Sequence, residues 1–202
     1  MKDHGDPEGR RPYRMGARAD AAAATAARVL DVAFERFTER PYDDVALEEI
    51  AQAAGVTKRT VLRRFGSKEE LFVAAMMERA RTEMRRRDAT PVGDVAGAVA
   101  TIVDSYERFG ANRLRLLAQE DRIPVVAENV DGGRRYHRSW VERTFAPLLD
   151  GLDGGARARR IAALIALTDV STWKLLRHDL GLGPEETVRT LVEVIETLKG
   201  AS

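Results

Sequence analysis

Lys58, Arg59, Arg63 and Arg64 fall within one eight-residue segment, Lys58-Arg-Thr-Val-Leu-Arg-Arg-Phe65, that holds no acidic side chain. Lys68 follows shortly after, so five basic residues and no carboxylate lie between Glu49 and Glu69. The whole chain carries a formal net charge of only +1. Positive charge gathered on one short segment of a near-neutral chain is the footprint of a nucleic-acid groove. Arginine can grip guanine O6 and N7 with two parallel hydrogen bonds, and threonine hydroxyls such as Thr57 and Thr60 suit phosphates. The plain alternative is a solvated basic helix.

The elements around these residues favour the groove. Leu47, Ile50 and Ala51 mark a short helix over about Leu47–Ala54, and Gly55 stands where a left-handed residue stops it. Thr57 is a good N-cap for a helix over Lys58–Phe65, which Gly66 ends. On a helical wheel Val61 and Phe65 fall together and define the buried side. Arg59 and Arg63 lie opposite, Thr60 and Leu62 flank them, and Lys58 and Arg64 sit nearer the buried margin. Ser67 and Glu70 form the ends of a capping box that opens a longer helix to about Arg87. Before this unit, Val29, Leu30, Ala33, Phe34 and Phe37 give a helix over about Ala19–Arg40, ended by Pro41.

The remaining pattern is helical throughout. Residues 1–18 (MKDHGDPEGRRPYRMGAR) lack apolar periodicity and read as a disordered basic tail. Further helices are predicted at about Asp94–Phe109, Arg113–Arg122, Arg134–Leu149, Ala156–His178 and Glu185–Leu198, divided by glycine and proline clusters. The expected fold is all-α, with about nine helices. It divides into a helix–turn–helix head over residues 19–66 and a larger helical body over residues 67–202.

Composition narrows the function classes. At 202 residues, 44% hydrophobic and 32% charged, the chain is of ordinary globular make-up. It has no cysteine, which excludes disulfides and thiolate metal sites and fits a cytoplasmic setting. No apolar run approaches the ~20 residues of a membrane span, so no membrane partner is expected. The three histidines, His4, His137 and His178, show no metal-binding helical spacing. There is no phosphate-cradling glycine loop. No catalytic residue, metal or cofactor is expected, and the protein is not read as an enzyme.

The segment around the basic helix resembles the TetR family of bacterial transcription regulators. Ile50-Ala51, Ala54-Gly55-Val56, Thr60, Phe65, Ser67-Lys68 and Leu71 match that family's pattern, as do Phe37 and Tyr42 upstream. The match covers about residues 20–72. Thr57 stands where serine is usual. Leu62 replaces the usual tyrosine, which removes a hydroxyl but offers contact with a thymine methyl. Ala46 stands where Ser or Thr usually caps the second helix; Asp43 or Asp44 would have to compensate. The resemblance implies phosphate contacts from Thr57, Thr60 and Lys68, base reading by Arg59 and Arg63, and either role for Lys58 and Arg64. Arg18 and Thr25 would touch the backbone beside the groove.

For the body, the resemblance implies a small-molecule inducer between the middle helices and a homodimer through the last two long ones. Ile161, Leu164, Ile165 and Thr168 on one helix, with Val188, Leu191, Val192 and Ile195 on the last, are the candidate dimer stripes. The alternative is that they pack within the monomer. Met76, Tyr106, Phe109, Trp140 and Trp173 are candidate pocket residues, with Asp169 four residues from Trp173 on a shared face. They suggest an apolar or aromatic effector. The expected protein is a repressor released from a palindromic double-stranded DNA operator by that ligand. The alternatives are an activator or ligand-independent regulator, and a helical protein-interaction module that does not bind DNA.

Overall fold

The computed structural model describes residues 11–200, with side-chain surroundings from Ala19 to Lys199. Most of the expected tail, residues 1–10, lies outside the described residues. Nine α-helices and no strand occur among the described residues: α1 Arg11–Glu39, α2 Leu47–Ala53, α3 Lys58–Phe65, α4 Lys68–Asp88, α5 Val95–Leu117, α6 Pro124–Thr144, α7 Gly154–Leu167, α8 Val170–Lys174 and α9 Pro184–Thr197. Helix α1 begins at Arg11, eight residues earlier than periodicity predicts.

Apolar side chains from α1 to α4 close around Phe37, Tyr42 and Phe72. Phe37 stacks on Tyr42 at 5.4 Å, and Phe72 meets both rings edge-on at 5.3 and 5.5 Å. Such packed aromatic pairs add roughly 0.5–1.5 kcal/mol each beyond area burial. This core does not stop at residue 66. Leu71, Phe72 and Met76 of α4, Leu116 of α5 and Val126 of α6 all belong to it. The body has its own core, in which Tyr106, Trp140, Phe145, Leu164 and Ile195 are buried.

Polar side chains of α5 and the turn after it hold the C-terminal end of α1. Gln119 Oε1 accepts from the Tyr42 N–H at 2.7 Å, Asn112 Nδ2 donates to Thr38 Oγ1 at 3.1 Å, and Arg115 Nη1 donates to Thr38 O at 3.3 Å. The head is therefore bonded to the body by groups that sequence spacing alone does not pair.

The number of helices agrees with expectation for partly compensating reasons. Asp94–Phe109 and Arg113–Arg122 are not separate: α5 runs through Gly110 to Leu117. Gly110 is needed there for close approach, because a Cβ on it would lie 2.4 Å from Trp173 Cζ3. The expected Ala156–His178 helix is divided instead. Asp169 Oδ1 accepts from the Ser171 N–H at 2.8 Å, capping α8 and ending α7 at Leu167. A π-helical turn over Leu175–Asp179 follows. Helix α6 starts at Pro124, whose missing N–H suits the first helical position, and passes through Gly132-Gly133 rather than beginning after them.

Candidate nucleic-acid interface

Helices α2 and α3 are joined by a turn that Gly55 makes possible, with φ of +68°. Thr57 then caps α3: its Oγ1 accepts from the Thr60 N–H at 3.2 Å. A cap of this kind stabilises a helix by about 1 kcal/mol. Val61 is 1% exposed and pins α3 to the first core, with half-buried Leu62 and Phe65 beside it. Lys58, Arg59, Arg63 and Arg64 are all exposed. No ion pair among the described residues involves Arg59, Arg63 or Arg64, so no described side chain holds these three guanidinium groups.

The other basic groups are restrained. Lys58 Nζ lies 2.6 Å from Glu48 Oε1 on α2. That hydrogen bond holds the Glu48 carboxyl below its ordinary range. Lys68 Nζ sits 4.4 Å above the Tyr42 ring and 3.5 Å from Asp43 O, so it is half-buried and fixed in place. Thr60 is half-buried, with its hydroxyl 3.0 Å from that of Thr57. Leu62 turns part of its side chain inward, leaving less apolar surface for a thymine methyl than the wheel suggests. Thr25 Oγ1 donates to Ala21 O at 2.8 Å, so its proton is engaged within α1. The Arg18 side chain lies outside the described residues.

The missing cap at Ala46 is made up neither by Asp43 nor by Asp44. The Ala46 N–H donates to Glu49 Oε1 at 3.2 Å, the reciprocal half of a capping box. Arg40 pairs with the same carboxylate and ties the end of α1 to α2.

In the body, the candidate pocket residues separate into different environments. Met76 belongs to the head core, while Phe109 meets Phe34 edge-on at 6.2 Å under the Arg79 guanidinium. Tyr106, Trp140 and Trp173 are buried together in the body core. Each has its polar atom satisfied: Tyr106 Oη donates to Thr168 O at 2.9 Å, Trp140 Nε1 to Arg87 O at 3.2 Å, and Trp173 Nε1 to Glu107 Oε1 at 2.7 Å. Asp169 lines a surface groove beside α7.

Sequence reasoning misses the chemistry at the centre of this core. Arg87, in the last turn of α4, is 3% exposed. Its Nη2 lies 2.6 Å from His137 Nδ1, and its Cζ lies 4.2 Å from the Trp140 ring centroid. His137 Nε2 is 3.1 Å from Thr168 Oγ1, whose own proton goes to Leu164 O at 2.6 Å. The directions then follow. Thr168 accepts from His137 Nε2–H, and the neutral imidazole accepts from Arg87 at Nδ1. Burial, then the Arg87 charge, pushes the imidazole down to about 4. Burial likewise pushes Arg87 down to about 10. The signal was present in the sequence: Phe72, Met76, Ala80, Glu83 and Arg87 follow the three-and-four spacing of one helical face.

The candidate dimer stripes are mostly internal. Ile161, Leu164, Thr168, Leu191 and Ile195 are at most 5% exposed, because α5 and α6 cover them within the protomer. A buried side chain has no surface to offer a partner, so these five are corrected to core residues. Ile165, Val188 and Val192 are half-buried. The outward face of α7 shows Ala158, Ala162 and Ala166 instead, along a groove of about 420 Å³ shared with Arg138, Ile165 and Asp169.

Comparison with known proteins agrees with this geometry. Residues 29–75 match the family model for bacterial regulatory proteins of the tetR family. The HTH-type transcriptional regulator Rv1255c of Mycobacterium tuberculosis is 29% identical over 140 residues, which is 69% of this chain but 58% of that protein. The chain thus matches less than two thirds of that relative's length. A transcriptional regulator of Pseudomonas aeruginosa PAO1 shares the fold with a TM-score of 0.70 at 16% identity, over 87% of this chain and 90% of its own. SmeT, solved as its triclosan complex, has a TM-score of 0.67 at 21% identity, over 86% and 90% of the two chains. The segment that takes in α2, the Gly55 turn and α3 is thus similar to the tetR family of bacterial regulatory proteins, on a helical frame that solved regulators share over most of its length.

Proposed function

We propose that the chain is a sequence-specific DNA-binding transcriptional repressor that acts as a homodimer and leaves its operator when a small molecule binds the body. The observation that carries this reading is the outer face of α3. Arg59 and Arg63 are exposed there and pair with no carboxylate among the described residues, on a helix anchored through Val61 and its neighbours on the opposite face. A bidentate arginine contact to guanine discriminates by roughly 1–3 kcal/mol.

One such helix reads too few bases, which argues for two copies with recognition helices about one DNA turn, ~34–36 Å, apart. The small exposed side chains of α7, with half-buried Val188 and Val192 on α9, make the surface on which a second copy would pack. Helix α4 suits a ligand response. It starts directly after α3 and ends at Asp88 in the body, so a ligand that favours one placement of α4 shifts the population of DNA-competent dimers. Among the described residues no helix is long and apolar enough to cross a membrane. With DNA as partner, the cytoplasm is the proposed location, and no catalytic role is proposed.

In vitro selection of DNA by the purified protein tests the reading. The expected outcome is a palindromic site with half-sites one turn apart. Recovery of no sequence preference would overturn it.

A further inference from the structure

Among the described residues the buried guanidinium of Arg87 pairs with no carboxylate. Nearby carboxylates are engaged elsewhere. Asp88 Oδ1 accepts from Tyr136 Oη at 3.0 Å and pairs with Arg143. Asp169 caps α8. Glu83 pairs with Arg108 at 3.1 Å, and Glu107 pairs with Arg177. A second cation, Arg113, lies 5.2 Å from the Tyr106 ring on the neighbouring helix and adds to the positive potential. Isolated buried charge is strongly disfavoured unless paired, so this arrangement calls for a counter-ion.

The geometry also shows where an anion would sit. Arg87 Nε is buried and has no hydrogen-bond partner, and Nη2 is met only by the neutral His137. Those two nitrogens form one edge of the guanidinium fork, the edge that receives a carboxylate through two parallel N–H···O bonds. His137 occupies one of the two positions and supplies no charge. The rings of Trp140, at 4.2 Å, and Tyr136, at 5.2 Å, flank the same group and would face the apolar part of a ligand.

We propose that Arg87 anchors the carboxylate of an acidic small-molecule effector, with His137 as the acceptor that this carboxylate displaces. The inference rests on the ligand-responsive reading above. It adds a required negative charge to the apolar or aromatic body expected from sequence.

The test uses the full chain and two pairs of probes: benzoate against benzamide, and octanoate against octanamide, at constant ionic strength. Binding is followed by Trp fluorescence and by the shift in melting temperature. Wild type should bind at least one acid roughly tenfold or more tightly than its amide, the size of one charge-assisted hydrogen bond. Arg87→Met should erase that preference while melting, without ligand, at or above the wild-type temperature, since an apolar side chain replaces an unpaired charge. Acid and amide binding alike, an undiminished preference in Arg87→Met, no binding of either acid, or a large loss of stability in Arg87→Met would each overturn the proposal. Release from the selected operator is scored separately. If the amides bind and release DNA, the anion site fails and the ligand-responsive reading stands; if nothing that binds the body alters DNA affinity, that reading itself fails.

Discussion

Glu48 Oε1 stands 2.6 Å from Lys58 Nζ, so the first residue of α3 is tied to the helix before it by a carboxylate at the edge of the proposed DNA surface. Both side chains are exposed, which limits what the pair adds to stability. Its larger consequence is for binding, because Glu48 repels phosphates and holds a cation that would otherwise reach them. Glu48→Gln is expected to tighten DNA binding about two- to fivefold at low salt, across all sequences. Affinity measured against salt concentration should show a steeper slope than wild type; an unchanged slope would place Lys58 away from the DNA.

Arg59 and Arg63 differ from Lys68 in what holds them, and their substitutions should differ in kind. Arg59→Ala and Arg63→Ala should each lower specific affinity by about 1–3 kcal/mol with little effect on random DNA. Lys68→Ala, which removes a cation fixed over Tyr42, should weaken all sequences alike and reduce the salt slope by about one. Competition gel shifts with the selected site and scrambled DNA separate the two patterns. A Lys68→Ala effect confined to one sequence would count against a phosphate role.

Gly110→Ala opposes two effects. Alanine gains up to roughly 1 kcal/mol of helix propensity over glycine. The new Cβ, however, would lie 2.4 Å from a ring atom of buried Trp173, which hydrogen bonds to Glu107 and has little room to shift. Overpacking costs about 1–3 kcal/mol, so a net loss is expected. Urea unfolding of the variant should show a lower midpoint, and a raised midpoint would mean that Trp173 moves freely.

His137 makes stability depend on pH. Its imidazole is held neutral down to about 4 in the folded chain, against the ordinary 6.5. Below pH 6.5 the unfolded chain therefore binds a proton that the folded chain refuses, and stability falls as pH falls toward 4. Between pH 7 and 5 this group should remove about 2 kcal/mol. Urea melts at the two pH values should show that loss in wild type and a smaller one in His137→Asn. Equal losses would mean that His137 protonates without unfolding the body.

The α2–turn–α3 unit was legible in the residues because its determinants act over a few positions. Gly55 and the Thr57 and Ser67 caps each act on the next turn of chain, and the spacing of Val61 and Phe65 sets the inward side of α3. The sequence by itself therefore determined an all-helical chain, the bounds of α3 and the arginines that point away from its core. What Gly110 does depended on Trp173, and whether Ile161 or Leu191 faces a partner depended on how α5 and α6 cover them. The exposed alanine face of α7 and the buried Arg87–His137 pair have the same origin, since their surroundings are assembled from helices far apart in the chain. Periodicity marks which face of a helix is apolar; only tertiary packing decides which apolar face remains outside and which charge is carried inside.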